Sequence, residues 1–283
     1  MYTTLPNGIK VFYREAGSKS APVVLLLHGF PSSSHQYVKL TNLLASKYHV
    51  IAPDLPGFGF TEVPSSLDFE YSFASLTATL ASFLDVLGIS KFAVYVFDYG
   101  APTALRLALQ RPDAITAIIS QNGNAYEEGL GDFWNPLKAW WEKNDDATAA
   151  FLRNNFLTLQ ETKRQYTTGE PDPDVIDPAT YYLDWVLLER PGNKDIQLSL
   201  FMDYRTNVSL YPQFQQYFRK SQVPVLAVWG KGDIIFIPPG AEAFKRDLPN
   251  AEVHFLDAGH FAVESHTEDI ANLMLAFLEK NGI

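Results

Sequence analysis

The chain has 283 residues, 47% of them hydrophobic and 19% charged, which is enough to bury one large core and is not the composition of a disordered chain. A formal net charge of −10 leaves no basic surface able to neutralise phosphates, so no nucleic-acid partner is expected. With no cysteine, disulfides, thiolate catalysis and Cys-ligated zinc are all excluded.

Residues 1–11 contain no basic stretch followed by an apolar one, so no signal peptide is expected. The longest apolar runs fall far short of the roughly 20 residues of a membrane span, and a cytoplasmic protein without a membrane partner is the expectation. Ile9–Arg14 alternates and predicts an edge strand paired antiparallel. Val23–Leu27, between Pro22 and Gly29, reads as a strand buried on both faces, and His49–Pro53 as the next. A helical stripe of Phe73, Leu76, Leu80, Phe83, Leu84 and Leu87 stops at Gly88. Then come a strand at Phe92–Phe97, a helix at Pro102–Leu109 and a strand at Ile115–Ser120.

From about Asn124 to Lys220 the βαβ rhythm stops. That stretch holds four of the five tryptophans and seven of the fourteen tyrosines, with helical pieces around a Gly169-Glu-Pro-Asp-Pro-Asp turn. It predicts a helical lid, residues 124–220, inserted into a core of residues 1–123 and 221–283. The rhythm resumes with strands at Val225–Trp229 and Glu252–Leu256 and a helix at Ile270–Leu278. The fold class is α/β, a mostly parallel sheet flanked by helices.

The chemistry gathers at strand ends. Phe92–Phe97 runs straight into Asp98-Tyr-Gly100, with a helix starting at once, which is the form of a nucleophile elbow carrying aspartate in place of serine. As a mere helix cap Asp98 would be equally well placed. Leu27-His-Gly-Phe30-Pro follows another buried strand, where such a fold draws one oxyanion-hole N–H; the residue after the nucleophile supplies the other. Phe30 and Tyr99 take those positions. His28 suits loop packing better than catalysis. Asp233 lies just past the strand at Val225–Trp229, and His260 follows the last strand. The order Asp98, Asp233, His260 is that of an α/β-hydrolase triad. His35, His49, His254 and His266 read as structural, no metal-ligand spacing occurs, and no cofactor is expected.

Taken together, His28-Gly-Phe-Pro31, Asp54-Leu-Pro-Gly-Phe-Gly59, the Asp98 elbow and Gly259-His-Phe261 resemble the epoxide hydrolase and haloalkane dehalogenase branch of the α/β-hydrolases. Small microbial epoxide hydrolase-like proteins, a yeast member among them, are the most similar, through Phe97-Asp-Tyr-Gly100 and Gln121-Asn-Gly-Asn-Ala-Tyr-Glu-Glu-Gly129. The resemblance covers the whole chain. The aromatic-rich lid, with Trp134, Trp140, Trp141 and Trp185, suggests an apolar pocket and so a small apolar substrate with water, and monomer and homodimer both remain open.

A carboxylate nucleophile suits displacement at sp³ carbon, opening an epoxide or expelling a halide. Epoxide hydrolases protonate the leaving oxygen with lid tyrosines, one in a Tyr-Arg motif. Asp203-Tyr204-Arg205 resembles it, which makes Tyr204 the first candidate acid, with Tyr126 and then Tyr166 as candidates for the second. For dehalogenation, Trp140 and Trp141 fall where fluoroacetate dehalogenases bind halide, and Tyr204 matches another of those positions. Against it, Tyr99, Phe30 and Asn122 depart from dehalogenase patterns. Epoxide hydrolysis is the leading expectation, with dehalogenation second and a catalytically silent ligand-binding relative third.

Overall fold

Eight short runs rich in Val, Ile, Leu and Phe build one sheet. A computed structural model describes residues 1–283. The strands are β1 (Tyr2–Thr4), β2 (Lys10–Ala16), β3 (Val23–Leu27), β4 (His49–Pro53), β5 (Phe92–Phe97), β6 (Ile115–Gln121), β7 (Val225–Gly230) and β8 (Glu252–Leu256). They lie in the order β1-β2-β4-β3-β5-β6-β7-β8. The pairs β1–β2 and β2–β4 are antiparallel and the rest parallel. The strand expected at Ile9–Arg14 is therefore not the edge. Tyr2-Thr-Thr adds an outer strand in register with Phe12, Val11 and Lys10, a triplet too short to show a period.

The helices are α1 (Val38–Leu44), α2 (Phe73–Val86), α3 (Gly100–Gln110), α4 (Asn135–Lys143), α5 (Asp146–Phe156), α6 (Leu159–Thr167), α7 (Pro178–Leu188), α8 (Asn193–Ser221), α9 (Pro239–Asp247), α10 (Ala262–Ser265) and α11 (Thr267–Lys280). The alternation along β5 shows how both faces are filled. Phe92, Val94 and Val96 join the core beneath α2, α3, α8 and α9, while Ala93, Tyr95 and Phe97 join the one beneath α1 and α11. Each large apolar side chain so buried contributes about 1.5–3 kcal/mol.

α4 to α8 all come from the single stretch between β6 and β7. Local signals start them: Asp145, Thr158 and Asp177 each accept a backbone N–H at the first turn of α5, α6 and α7. α8 runs 29 residues without interruption, despite Pro212 inside it, and packs onto α3 and α9 of the sheet layer as well as onto α4 and α5.

One topological fact positions the site. The chain steps from β3 outward to β4, then crosses back to β5 and builds in the other direction. β3 and β5 are neighbours whose connections leave in opposite directions, and the crevice outside their carboxyl ends is where open α/β sheets bind ligands.

Candidate active site

Asp98 follows β5 directly with φ of 46°, a left-handed conformation costing a non-glycine residue about 1–2 kcal/mol. The surroundings hold it there. The Asp98 carbonyl accepts from Ala101 N–H at 3.0 Å as α3 begins. A Cβ on Gly100 would lie 2.3 Å from the Leu27 carbonyl oxygen, and one on Gly29 would lie 2.2 Å from Asp98 Oδ1. Both glycines are needed for the β3 loop and the elbow to touch. That contact seats Asp98 Oδ1 on the Phe30 N–H at 2.6 Å, and the neighbouring Tyr99 N–H also favours the ionised carboxylate.

Burial pushes the Asp98 carboxyl up to about 6, with a small addition from Asp233; His260 and the Phe30 and Tyr99 N–H groups pull the other way. Asp98 thus remains ionisable near neutrality although only 4% of its surface is exposed.

Across the crevice, Asp233 Oδ2 receives His260 Nδ1 at 2.8 Å and Asn122 Nδ2 at 2.7 Å, while Asp233 Oδ1 accepts from Ile235 N–H at 2.7 Å. This fixes the histidine tautomer with its proton on Nδ1. His260 Nε2 is buried and has no partner in the protein. The structure therefore brings Asp98, Asp233 and His260 to the ends of β5, β7 and β8 around one crevice.

Asn122 has a role that the sequence reading gave it only as a departure from a dehalogenase pattern. At φ of 49° just past β6, it donates to Asp233 while its Oδ1 accepts from Gly230 N–H at 3.0 Å and Gln121 Nε2 at 2.6 Å. Gln121 Nε2 also donates to the His260 carbonyl at 2.9 Å. The Gln-Asn pair at the end of a buried strand was the available signal.

His28 is part of the scaffold. Its Nε2 accepts from Leu55 N–H at 2.9 Å and its Nδ1 faces the Gly29 carbonyl at 3.1 Å, a pattern only the neutral ring makes; burial accordingly lowers its pKa. Asp54 ties the same region by accepting from Ser34 N–H at 2.8 Å and Phe60 N–H at 2.7 Å.

Over the crevice stands an aromatic wall. The Tyr204 ring lies 5.7 Å from Tyr99, 5.5 Å from Phe73, 4.3 Å from Trp134 and 6.4 Å from Phe236, whose ring is 6.0 Å from His260. Phe30 packs between Tyr99 and Phe201. Burial holds the Tyr204 phenol well above its usual pKa, with further upward pushes from Tyr211 and Asp98, so it is protonated. Its hydroxyl meets Tyr211 Oη at 3.3 Å, and Asn124 Nδ2 donates to that same Tyr211 oxygen at 3.3 Å. Tyr211, seven residues along α8, was missed. Two turns of helix put it on the Tyr204 face, but Pro212 beside it reads as a helix break.

The other candidate side chains are engaged elsewhere. Tyr126 is not brought to the crevice: its hydroxyl donates to Asp247 at 3.0 Å and its ring packs on Phe244. Tyr166 donates to Asp184 at 2.5 Å and stacks on Phe261. Neither supplies the second acid, because each hydroxyl proton already has a carboxylate partner. Trp141 Nε1 donates to the Phe201 carbonyl at 2.8 Å, which removes it as a free halide donor. Trp140 Nε1 is buried with no partner, its residue lining a groove with Tyr71 and Met202.

Comparison with known proteins agrees with this architecture. The α/β-hydrolase-fold family model matches residues 22–267. An uncharacterised hydrolase of Saccharomyces cerevisiae is 48% identical, covering 97% of this chain and 95% of its own. A haloalkane dehalogenase of Bradyrhizobium diazoefficiens is 35% identical over 96% and 91% of the two chains. A solved epoxide hydrolase, without ligand, superposes with a TM-score of 0.80 at 20% identity, covering 99% of this chain and 98% of that one. An elbow at the switch point, a histidine after the last strand and a family match across most of the length lead to one conclusion: this chain belongs to the α/β-hydrolase superfamily.

Proposed function

We propose that the protein opens epoxides to vicinal diols through an alkyl ester on Asp98. The observation that carries the choice is the paired, protonated hydroxyl of Tyr204 above a carboxylate nucleophile. An epoxide oxygen needs an acid as its C–O bond breaks; a halide leaves without a proton and is held by donors such as indole N–H, and the Trp134 and Trp141 indoles are both committed to backbone carbonyls.

In the first step an Asp98 carboxylate oxygen attacks a ring carbon, the C–O bond breaks, and the leaving oxygen takes the Tyr204 proton. Tyr211, held by Asn124, hydrogen-bonds Tyr204 as it gives up that proton. In the second step His260 Nε2 takes a proton from water, whose oxygen attacks the ester carbon of Asp98. Asp233 stabilises the imidazolium, and the Phe30 and Tyr99 N–H groups hold the oxyanion. Removing one such donor typically costs about 10²–10³ in rate. Collapse frees the diol, and the proton on His260 restores Tyr204. The insertion acts as a lid, and its aromatic lining, without a lysine or arginine facing Asp98, favours small uncharged substrates.

Dehalogenation is the second reading, favoured by the unpartnered Trp140 Nε1. One experiment separates the two. His260→Gln protein, exposed to styrene oxide or to 1-bromobutane, is analysed by intact mass with an Asp98→Asn control. Addition of the whole epoxide mass, absent from the control, is the expected result. An adduct only from the bromide, heavier by an alkyl group less a proton, transfers the assignment to dehalogenase. No adduct from either sinks the covalent mechanism.

A further inference from the structure

Two of the three loops that carry the triad are gripped by a short piece of the helical insertion. The segment Thr168-Gly169-Glu170 leaves α6 and packs against both the turn before Asp233 and the turn before His260. A Cβ on Gly232 would lie 2.5 Å from Gly169 Cα, and one on Gly259 would lie 2.1 Å from the Thr168 carbonyl oxygen. Gly169 itself has φ of +85° and presses on the Gly232 carbonyl. The two turns are also bonded to each other, Gly232 N–H to the Ala258 carbonyl at 2.9 Å. Three glycines therefore allow insertion and triad turns to meet backbone to backbone.

The polar contact at this crossing is specific. Glu170, only 8% exposed, accepts the Gly259 N–H on Oε1 at 2.8 Å. One turn back, the Tyr166 ring lies flat on Phe261, with centroids 3.6 Å apart and planes 10° from parallel. Tyr166 is itself held, its hydroxyl on Asp184, whose other oxygen receives His35 Nε2 at 2.6 Å. The Gly259 N–H, one residue before His260, and the ring after it are thus both fixed from the insertion, while Gln121 fixes the His260 carbonyl from the sheet.

We propose that Glu170 is a positioning residue: through the Gly259 N–H it sets the His260 imidazole for water activation, so the insertion completes the triad as well as covering it. The kinetic consequence rests on the ester mechanism proposed above. His260 acts only in ester hydrolysis, so losing Glu170 should slow that half-reaction and spare ester formation. A role in packing alone would slow both or neither.

The test has two arms. With styrene oxide, rapid quench and intact mass follow ester formation on Asp98 and its loss separately. Glu170→Ala should form ester at about the parent rate and hydrolyse it about tenfold or more slowly, the size of effect expected from a small misplacement of a reacting group. Glu170→Gln, which keeps an acceptor oxygen, should restore hydrolysis to within about threefold. In the second arm, protein labelled with ¹⁵N-histidine reports the Nδ1 proton bonded to Asp233. That signal should weaken or move upfield in Glu170→Ala and persist in Glu170→Gln. Should Glu170→Ala not fold, Glu170→Asp, which draws the carboxylate back by one methylene, carries both arms with the same expectation. Unchanged hydrolysis, equal slowing of both half-reactions, failure of Gln to rescue, or an unmoved Nδ1 signal each overturns the proposal. If His260→Gln forms no adduct with styrene oxide, the reaction itself is wrong, and the NMR arm still decides the positioning role.

Discussion

The two walls of the crevice are built by different means. On the sheet side, Asp98, Asp233 and His260 stand on turns at strand ends, and backbone groups bond most of what they touch: Phe30 N–H, Ile235 N–H, the carbonyl of His260. On the helical side, Tyr204 and Tyr211 stand on one long helix and are placed by aromatic packing and one another's hydroxyls. A wall of backbone bonds tolerates little substitution, whereas a wall of packed rings can change its lining and keep its shape. The first therefore suits a fixed reaction and the second a choice of substrate.

That contrast is open to direct attack. The largest expected effect comes from Tyr204→Phe, which removes the proposed proton donor and keeps the ring: the proposed epoxide turnover should fall about 10²–10⁴-fold, the usual worth of a positioned acid. Tyr211→Phe should cost less. If Tyr211→Phe proved the worse of the two, the acid would have to be reassigned to Tyr211. Next in size is Asn122→Ala, which leaves Asp233 Oδ2 with His260 alone; we expect roughly 10–100-fold slower turnover, by analogy with loss of an outer hydrogen-bond partner. A loss in KM with no change in kcat would mean that Asn122 only packs.

The smallest effect is in pH and stability. In the proposed reaction Asp98 must be ionised to attack, so kcat/KM should rise with pH through about 6, well above the usual carboxylate range. The same raised pKa has a sign for folding. The folded state keeps the Asp98 proton where the unfolded chain has already lost it, so stability from this group falls as pH rises from about 4 through 6. Above that window Asp98→Asn should therefore be more stable than the parent by about 2–3 kcal/mol. Equal melting temperatures at pH 7.5 would show that the carboxylate is better solvated than its burial implies.

The sheet side was legible in the sequence because a buried strand followed by a polar residue is a strong local pattern. Val94-Tyr-Val-Phe-Asp98 and Leu256-Asp-Ala-Gly-His260 announce their turns without any tertiary knowledge. The helical side was not. Tyr204 was reached through a resemblance, Tyr211 was hidden by Pro212, and Tyr126 and Tyr166 are tyrosines of the same composition whose hydroxyls went to Asp247 and Asp184. Which of seven tyrosines faces the crevice depends on helix phase and packing between elements far apart in sequence, and no local pattern encodes that. α1 and α9 were passed over for a plainer reason: at seven and nine residues they are too short for a period to stand out.

The contact between Phe30 N–H and Asp98 Oδ1 has a consequence for the fate of individual atoms. Because Oδ1 already accepts the Phe30 N–H at 2.6 Å, the proposed reaction leaves Oδ2 to attack carbon. When water then adds to the ester carbon, the bond that breaks returns Oδ2 to solution as a hydroxyl of the diol, and the water oxygen stays behind in the side chain. In the proposed reaction every product molecule carries away an oxygen of the protein, and Asp98 is rebuilt from solvent at each turnover.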